Sequence, residues 1–206
     1  DSDFVPCDFE LSIGRDSAVK PFKVDLEEGS VSLIGKIDRV DKMDSEDKRY
    51  IRIVDYKTGS KSFELSDVFY GMNMQMLLYL LSIWRGGHEF YENITPAGIL
   101  YFPARLDHIN IDRNDSEEKR ETARMARGKM NGMLVGDEDV IGRMDKEKEG
   151  LFLPARFDSK GALKGNFISL TQFEKLGRYM DNLIKEMGDS IHEGKIPAIP
   201  ALHAWH

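Results

Sequence analysis

Two short runs constrain this chain more than anything else in it. Residues 31–41 (VSLIGKIDRVD) alternate loosely between apolar and polar positions. Residues 49–57 (RYIRIVDYK) alternate again and are rich in β-branched side chains. The polar stretch Asp44-Ser-Glu-Asp-Lys48 separates them. Period-two alternation on both sides of a polar turn predicts a β-hairpin, with a turn somewhat longer than the tightest types.

The flanking segments predict what accompanies that hairpin. Residues 1–20 mix Phe4, Phe9, Leu11 and Ile13 with polar residues and read as an edge strand or extended opening. Ser66 is a plausible N-cap for a helix over 67–84, with Val68, Met72, Met76, Tyr79, Leu80 and Ile83 at helical spacing. Gly86-Gly87 ends it. The mostly apolar run 96–103 (PAGILYFP) reads as a buried central strand. Residues 115–132 form a charged helix and 137–148 a shorter one. Residues 151–157 read as a strand, followed by a turn at Ser159-Lys-Gly161. Thr171 with Glu174 matches a capping box and opens a helix to about 193, striped with Phe173, Leu176, Met180, Leu183, Met187 and Ile191. The order strands, helix, strand, helices, strand, helix makes an α/β domain around a small sheet.

Composition removes several classes of function. With one cysteine, Cys7, in 206 residues, no disulfide framework and no multi-cysteine zinc or iron–sulfur site forms within the chain. No run of eighteen apolar residues and no charged-then-apolar leader occurs, so a reducing, cytoplasmic location is expected. A net charge of −7 makes a poor free-standing, non-specific DNA binder, though a carboxylate metal site is compatible with it. Phosphate-cradling glycine loops and zinc-protease motifs are absent. Of five histidines, only His203 and His206 lie close together, in a tail expected to fray. Cys7 reads as a small buried hydrophobe. Arg124, Arg127 and Lys129 form a modest basic strip, better read as a solvated helix face than a phosphate contact.

The chemistry concentrates in Gly35-Lys-Ile-Asp38-Arg-Val-Asp41, then Asp55-Tyr-Lys57, then Gln75 and Tyr79. Strand alternation puts Asp55 and Lys57 on one face, and Asp38 on the partner strand can sit across from them. Gln75 and Tyr79, four apart, share a helix face. Two carboxylates without a thiol suit Mg²⁺ or Mn²⁺, and the nearby ammonium suits a metal-bound water or a charged phosphate in phosphodiester hydrolysis. D-x-K alone is a weak signal, since such pairs are common on solvated surfaces. The ordered set of three motifs is not weak.

That set resembles the RecB-like branch of the PD-(D/E)xK nuclease superfamily. Most of the chain looks like its AddB-type nuclease domains, including Phe4-Val-Pro6, Tyr70-Gly71, Pro96-Ala-Gly98-Ile-Leu-Tyr101-Phe, Lys129-Met-x-Gly132 and Asp137 to Asp145. The resemblance implies a restriction-endonuclease-like core, a central mixed β-sheet flanked by helices. It implies a single domain over 1–206, with 1–20 as an opening segment and 196–206 as a tail. It also implies metal ligation by Asp38, Asp55 and the main-chain carbonyl of Tyr56, with Lys57 as catalytic lysine and Gln75 and Tyr79 orienting DNA and site groups. The implied activity is Mg²⁺-dependent (or Mn²⁺-dependent) exonucleolytic cleavage of DNA during double-strand-break processing. The implied partners are DNA and the A subunit of an ATP-dependent helicase–nuclease.

Two departures shape the expectation. The family supplies a metal-ligating His from a helix upstream of the hairpin, and no His precedes His88 here. Glu10 stands either as a substitute ligand or as an ordinary polar residue at a strand edge. The family's four-cysteine iron–sulfur cluster is expected only in a full-length parent. Both gaps predict a fragment of a larger subunit without robust activity by itself. The alternative is a catalytically incomplete domain of this fold that binds DNA or a partner subunit.

Overall fold

The computed structural model describes residues 2–59, 63–104, 116–147, 150–195 and 197. The hairpin is present: β4 (Gly35–Ser45) pairs antiparallel with β5 (Lys48–Lys57). Its turn is tighter than expected. Ser45 pairs with Lys48, leaving only Glu46 and Asp47 in the loop, and Glu46 takes φ 51°. A two-residue loop needs such left-handed backbone to match strand twist. The run 31–41 is divided: β3 (Ser30–Leu33) pairs with β2 (Phe22–Asp25) in a separate ribbon, and exposed Ile34 separates β3 from β4.

The opening segment forms the edge strand β1 (Val5–Ile13) on β4. β6 (Ile94–Pro103) lies parallel to β5 and is buried along nearly its whole length, as a central strand requires. Its Pro96 is tolerated because the register shifts there, between Ile51↔Pro96 and Arg52↔Gly98. Four strands escaped the sequence pattern, β2 and three later in the chain. β7 (Asn131–Val135), antiparallel to β6, begins inside the predicted charged helix, which is confined to α3 (Glu117–Arg127). Gly98 and Gly132 permit this pairing, at φ 148° and 143°. A Cβ on Gly98 would lie 2.8 Å from the Met133 carbonyl oxygen, and one on Gly132 would overlap that of Ile99. With β10 (Phe167–Ile168), the main sheet runs β1-β4-β5-β6-β7-β10 and is mixed.

The predicted helix 67–84 is also broken. α1 spans only Leu65–Val68 and α2 spans Gln75–Gly86. Gly71 (φ 73°) and Asn73 (φ 54°) adopt left-handed backbone between them, a conformation that cannot continue a right-handed helix. Ser66 lies inside α1, and its N-cap is Glu64. Every residue from Met76 to Ile83 is buried, so this stretch of α2 is enclosed on all sides. It is sandwiched between the sheet and α5 (Leu170–His192), joining the main core with Ile51, Ile53, Ile99 and Phe173. Removing a fully buried ring such as Phe173 costs about 3–5 kcal/mol.

The capping box of α5 is Ser169 with Gln172, two residues earlier than the Thr171–Glu174 pattern suggested. Both bonds are made: Ser169 Oγ accepts from Gln172 N at 3.2 Å, and Gln172 Oε1 accepts from Ser169 N at 2.8 Å. Phe173, Leu176 and Met180 of its stripe are buried, whereas Met187 and Ile191 are exposed. The opposite sheet face is covered by α4 (Glu138–Met144) and the small ribbon β8 (Ala155–Phe157) with β9 (Leu163–Gly165). Only residues 155–157 of the predicted 151–157 strand pair. Among the described residues, no helix is long and apolar enough to cross a membrane.

Candidate active site

The site forms where the β4–β5 ladder ends. The last pair in register is Arg39↔Val54. Beyond it the backbone N–H of Tyr56 donates to Asp38 Oδ2 at 3.0 Å, so a carboxylate takes the donor that regular pairing would have used. This ties Asp38 to the strand segment carrying Asp55 and Lys57. On β1, Glu10 falls between the Phe9↔Arg39 and Leu11↔Ile37 pairs, takes φ 56°, and pairs its exposed carboxylate with Lys36.

Asp55 and Lys57 share a face, as alternation requires, with Lys57 Nζ 2.5 Å from Asp55 Oδ2. That oxygen is shielded from solvent and has no aligned hydrogen-bond donor. The contact is coulombic rather than directional. Tyr101, paired with Asp55 across β5 and β6, is a neighbour that the motifs did not reveal. Lys57 Nζ stands 5.8 Å from its ring centroid, and Phe63 flanks the ring at 6.5 Å. Burial, with the Asp55 charge adding, pushes the Tyr101 phenol up to about 12. Its sequence signal lay in the run 96–103, but only strand pairing placed it at the site.

Gln75 and Tyr79 meet on the first turns of α2, where Gln75 Nε2 donates to Tyr79 Oη at 3.0 Å. Gln75 is exposed and Tyr79 buried. The predicted residues therefore fall into two groups. Asp38, Asp55, Tyr56 and Lys57 form one on the hairpin. Gln75 and Tyr79 form the other, which reaches β4 at Gly35. Among the described residues, no hydrogen bond or ion pair links the groups. A cleft of about 650 Å³ lies beyond Tyr101, between Phe63–Ser66 and Lys129–Gly132.

The second aspartate of G-x-I-D-R-x-D does something different. Asp41 is fully buried and receives Arg39 Nε and Nη2 at 2.6 and 2.9 Å and Arg52 Nε at 3.0 Å. Arg52 lies 4.7 Å from the Phe4 ring centroid, and burial lowers its pKa against the opposing pull of Asp41. Arg39 also donates to Tyr56 Oη at 3.4 Å.

Among the described residues, no group of three or more His, Cys, Asp or Glu is placed to hold a metal ion. Of the hairpin's carboxylates, Asp38 and Asp55 stand at the site. His108, His203 and His206, the Arg124 side chain and all of 196–206 except residue 197 lie outside the described residues. Cys7 is half-buried, its Sγ donating to the Val40 carbonyl at 3.4 Å.

The family model of the PD-(D/E)XK nuclease superfamily matches residues 1–203. Among curated proteins, the chain is 38% identical over 204 residues to the B subunit of the ATP-dependent helicase/deoxyribonuclease of Ruminiclostridium cellulolyticum. It is 37% identical over 205 residues to that of Acetivibrio thermocellus. Each match covers 97% of this chain and 18% of the relative. The same-named protein of Clostridium novyi is 41% identical over 196 residues, covering 92% of the chain and 17% of the relative. The chain thus spans less than a fifth of the length of these relatives.

Proposed function

The chain belongs to the PD-(D/E)XK nuclease superfamily, and on that premise we propose that it is the metal-dependent deoxyribonuclease domain of a helicase–nuclease. It hydrolyses phosphodiester bonds from DNA ends during double-strand-break processing, as one domain over 1–206, in the cytoplasm and beside an A subunit. The observation that carries this reading is the Asp38–Tyr56 hydrogen bond beside the Asp55–Lys57 pair, which gathers two carboxylates and an ammonium at one end of the hairpin.

A divalent ion, Mg²⁺ or Mn²⁺, fits the donors present. All are hard oxygens, and the shielded Asp55 Oδ2 accepts no aligned hydrogen bond and is balanced by the Lys57 ammonium. Asp38, Asp55 and the main-chain carbonyl of Tyr56 would hold it, and the bound ion would supply Lewis acidity and a lowered water pKa. Lys57 sets a positive charge where the phosphoryl group gains negative charge, and its ammonium orients the attacking water. The Tyr101 ring carries that ammonium on its face. Gln75, exposed at the start of α2, orients the strand being cut. With a net charge of −7, the domain relies on other parts of the complex for the cations that hold DNA.

That the hairpin brings only Asp38 and Asp55 to the site favours a second reading, a domain that binds DNA or its partner without complete chemistry. Mn²⁺ calorimetry on the chain and its Asp38→Ala and Asp55→Ala variants, beside a linear-DNA cleavage assay on the assembled helicase–nuclease carrying the same variants, separates the two. Stoichiometric binding lost in both variants, with cleavage, is the expected result. Absence of both binding and cleavage overturns the nuclease reading for this chain.

A further inference from the structure

The glycine of G-x-I-D-R-x-D plays no part in the chemistry above. Gly35 opens β4, and its φ is outside the left-handed region, so backbone freedom does not require glycine there. Space does. A Cβ on Gly35 would overlap Tyr79 Oη and lie 2.7 Å from both Cε1 and Cζ of the ring. The ring is 6% exposed and belongs to the main core, so it cannot swing aside without disturbing its neighbours. Its hydroxyl holds the side-chain amide of exposed Gln75 one helical turn away.

We propose that Gly35 is a positioning residue: its bare Cα lets Tyr79 seat against β4, and the seated hydroxyl fixes the Gln75 amide at the start of α2. Tyr79 then acts through Gln75 rather than on the substrate. This seating is a property of the fold. Only its consequence for cleavage rests on the nuclease reading.

Two readouts on the same variants test it. The first is the Gln75 side-chain amide signal in ¹⁵N NMR, identified by its loss in Gln75→Ala. In the wild type it is a restrained pair. In Gly35→Ala and in Tyr79→Phe, which keeps the ring, it moves to the position of a free glutamine. The second is cleavage. Gly35→Ala lowers kcat about tenfold, as for a small misplacement of an orienting group, with KM changed less than about twofold. The loss is non-additive, as for residues in contact: Gly35→Ala has no further effect in a Tyr79→Ala background, and Tyr79→Phe none in a Gln75→Ala background. An unmoved Gln75 signal in Gly35→Ala, or additive losses, overturns the assignment. A wild type that shows the NMR pattern but never cleaves DNA removes the nuclease reading and leaves the Gly35–Tyr79–Gln75 seating in place.

Discussion

Asp38 and Asp41 stand three residues apart on one strand, in one motif, and the fold uses them in opposite ways. Asp41 is fully buried and saturated by two guanidinium groups. Asp38 lies half-buried at the hairpin end, accepting one backbone N–H. The first has its charge neutralised by the fold, whereas the second keeps capacity for something further. A shared residue type within a motif therefore does not mean a shared role. What separates the two is how many donors the surrounding strands bring to each.

The largest expected effect tests the buried member. Asp41→Ala leaves Arg52 and Arg39 without their counter-charge and costs about 3–5 kcal/mol, as for a broken buried pair. Asp38→Ala should cost far less in the same urea titration. Equal losses would erase the distinction. Next in size, Lys57→Ala should lower the cleavage rate by about a hundredfold or more with little change in the urea midpoint. Retained cleavage would remove Lys57 from the site.

A smaller effect concerns the capping box outside this strand. Ser169→Ala should cost about 1 kcal/mol, and Thr171→Ala, whose residue follows the true cap, markedly less. Equal costs would restore the cap suggested by sequence. The finest probe is Cys7, whose thiol burial, with neighbouring Asp8 adding, pushes up to about 12. A raised thiol pKa keeps the reactive thiolate scarce below that value, so alkylation at pH 8 should be slow when folded and fast in urea. Cys7 donates to Val40, next to Asp41. Asp41→Ala should therefore speed alkylation of the folded protein, while Asp38→Ala leaves it slow.

Much of this was legible without coordinates. The hairpin and the long last helix follow from periodicity, because each spans enough residues for one repeat to dominate, whereas the central strand 96–103 follows from its apolar run and the edge strand from a mix of apolar and polar residues. The misses share a physical cause. β7 is five residues long and lies against the end of a charged helix, and the gap between α1 and α2 depends on left-handed backbone at Gly71 and Asn73. Both are too short for a repeat to register. The true cap of α5 was missed because Ser-x-x-Gln and Thr-x-x-Glu overlap within six residues.

By itself the sequence determined which residues are candidates for the chemistry, since the order and spacing of Asp38, Asp55, Lys57, Gln75 and Tyr79 are properties of the chain. Alternation alone put Asp55 and Lys57 on one face, because their separation is local. Tertiary structure decided everything that needed a second strand or helix: that Asp38 turns to the Tyr56 N–H, that Asp41 is closed off by Arg39 and Arg52, that Tyr101 lies beneath Lys57, and that Gly35 makes room for Tyr79. The cross-strand contacts among these join residues 11 positions apart in Arg52–Asp41 and 18 apart in Tyr56–Asp38. Local periodicity is silent at that range, where pairing register and packing set which atoms meet.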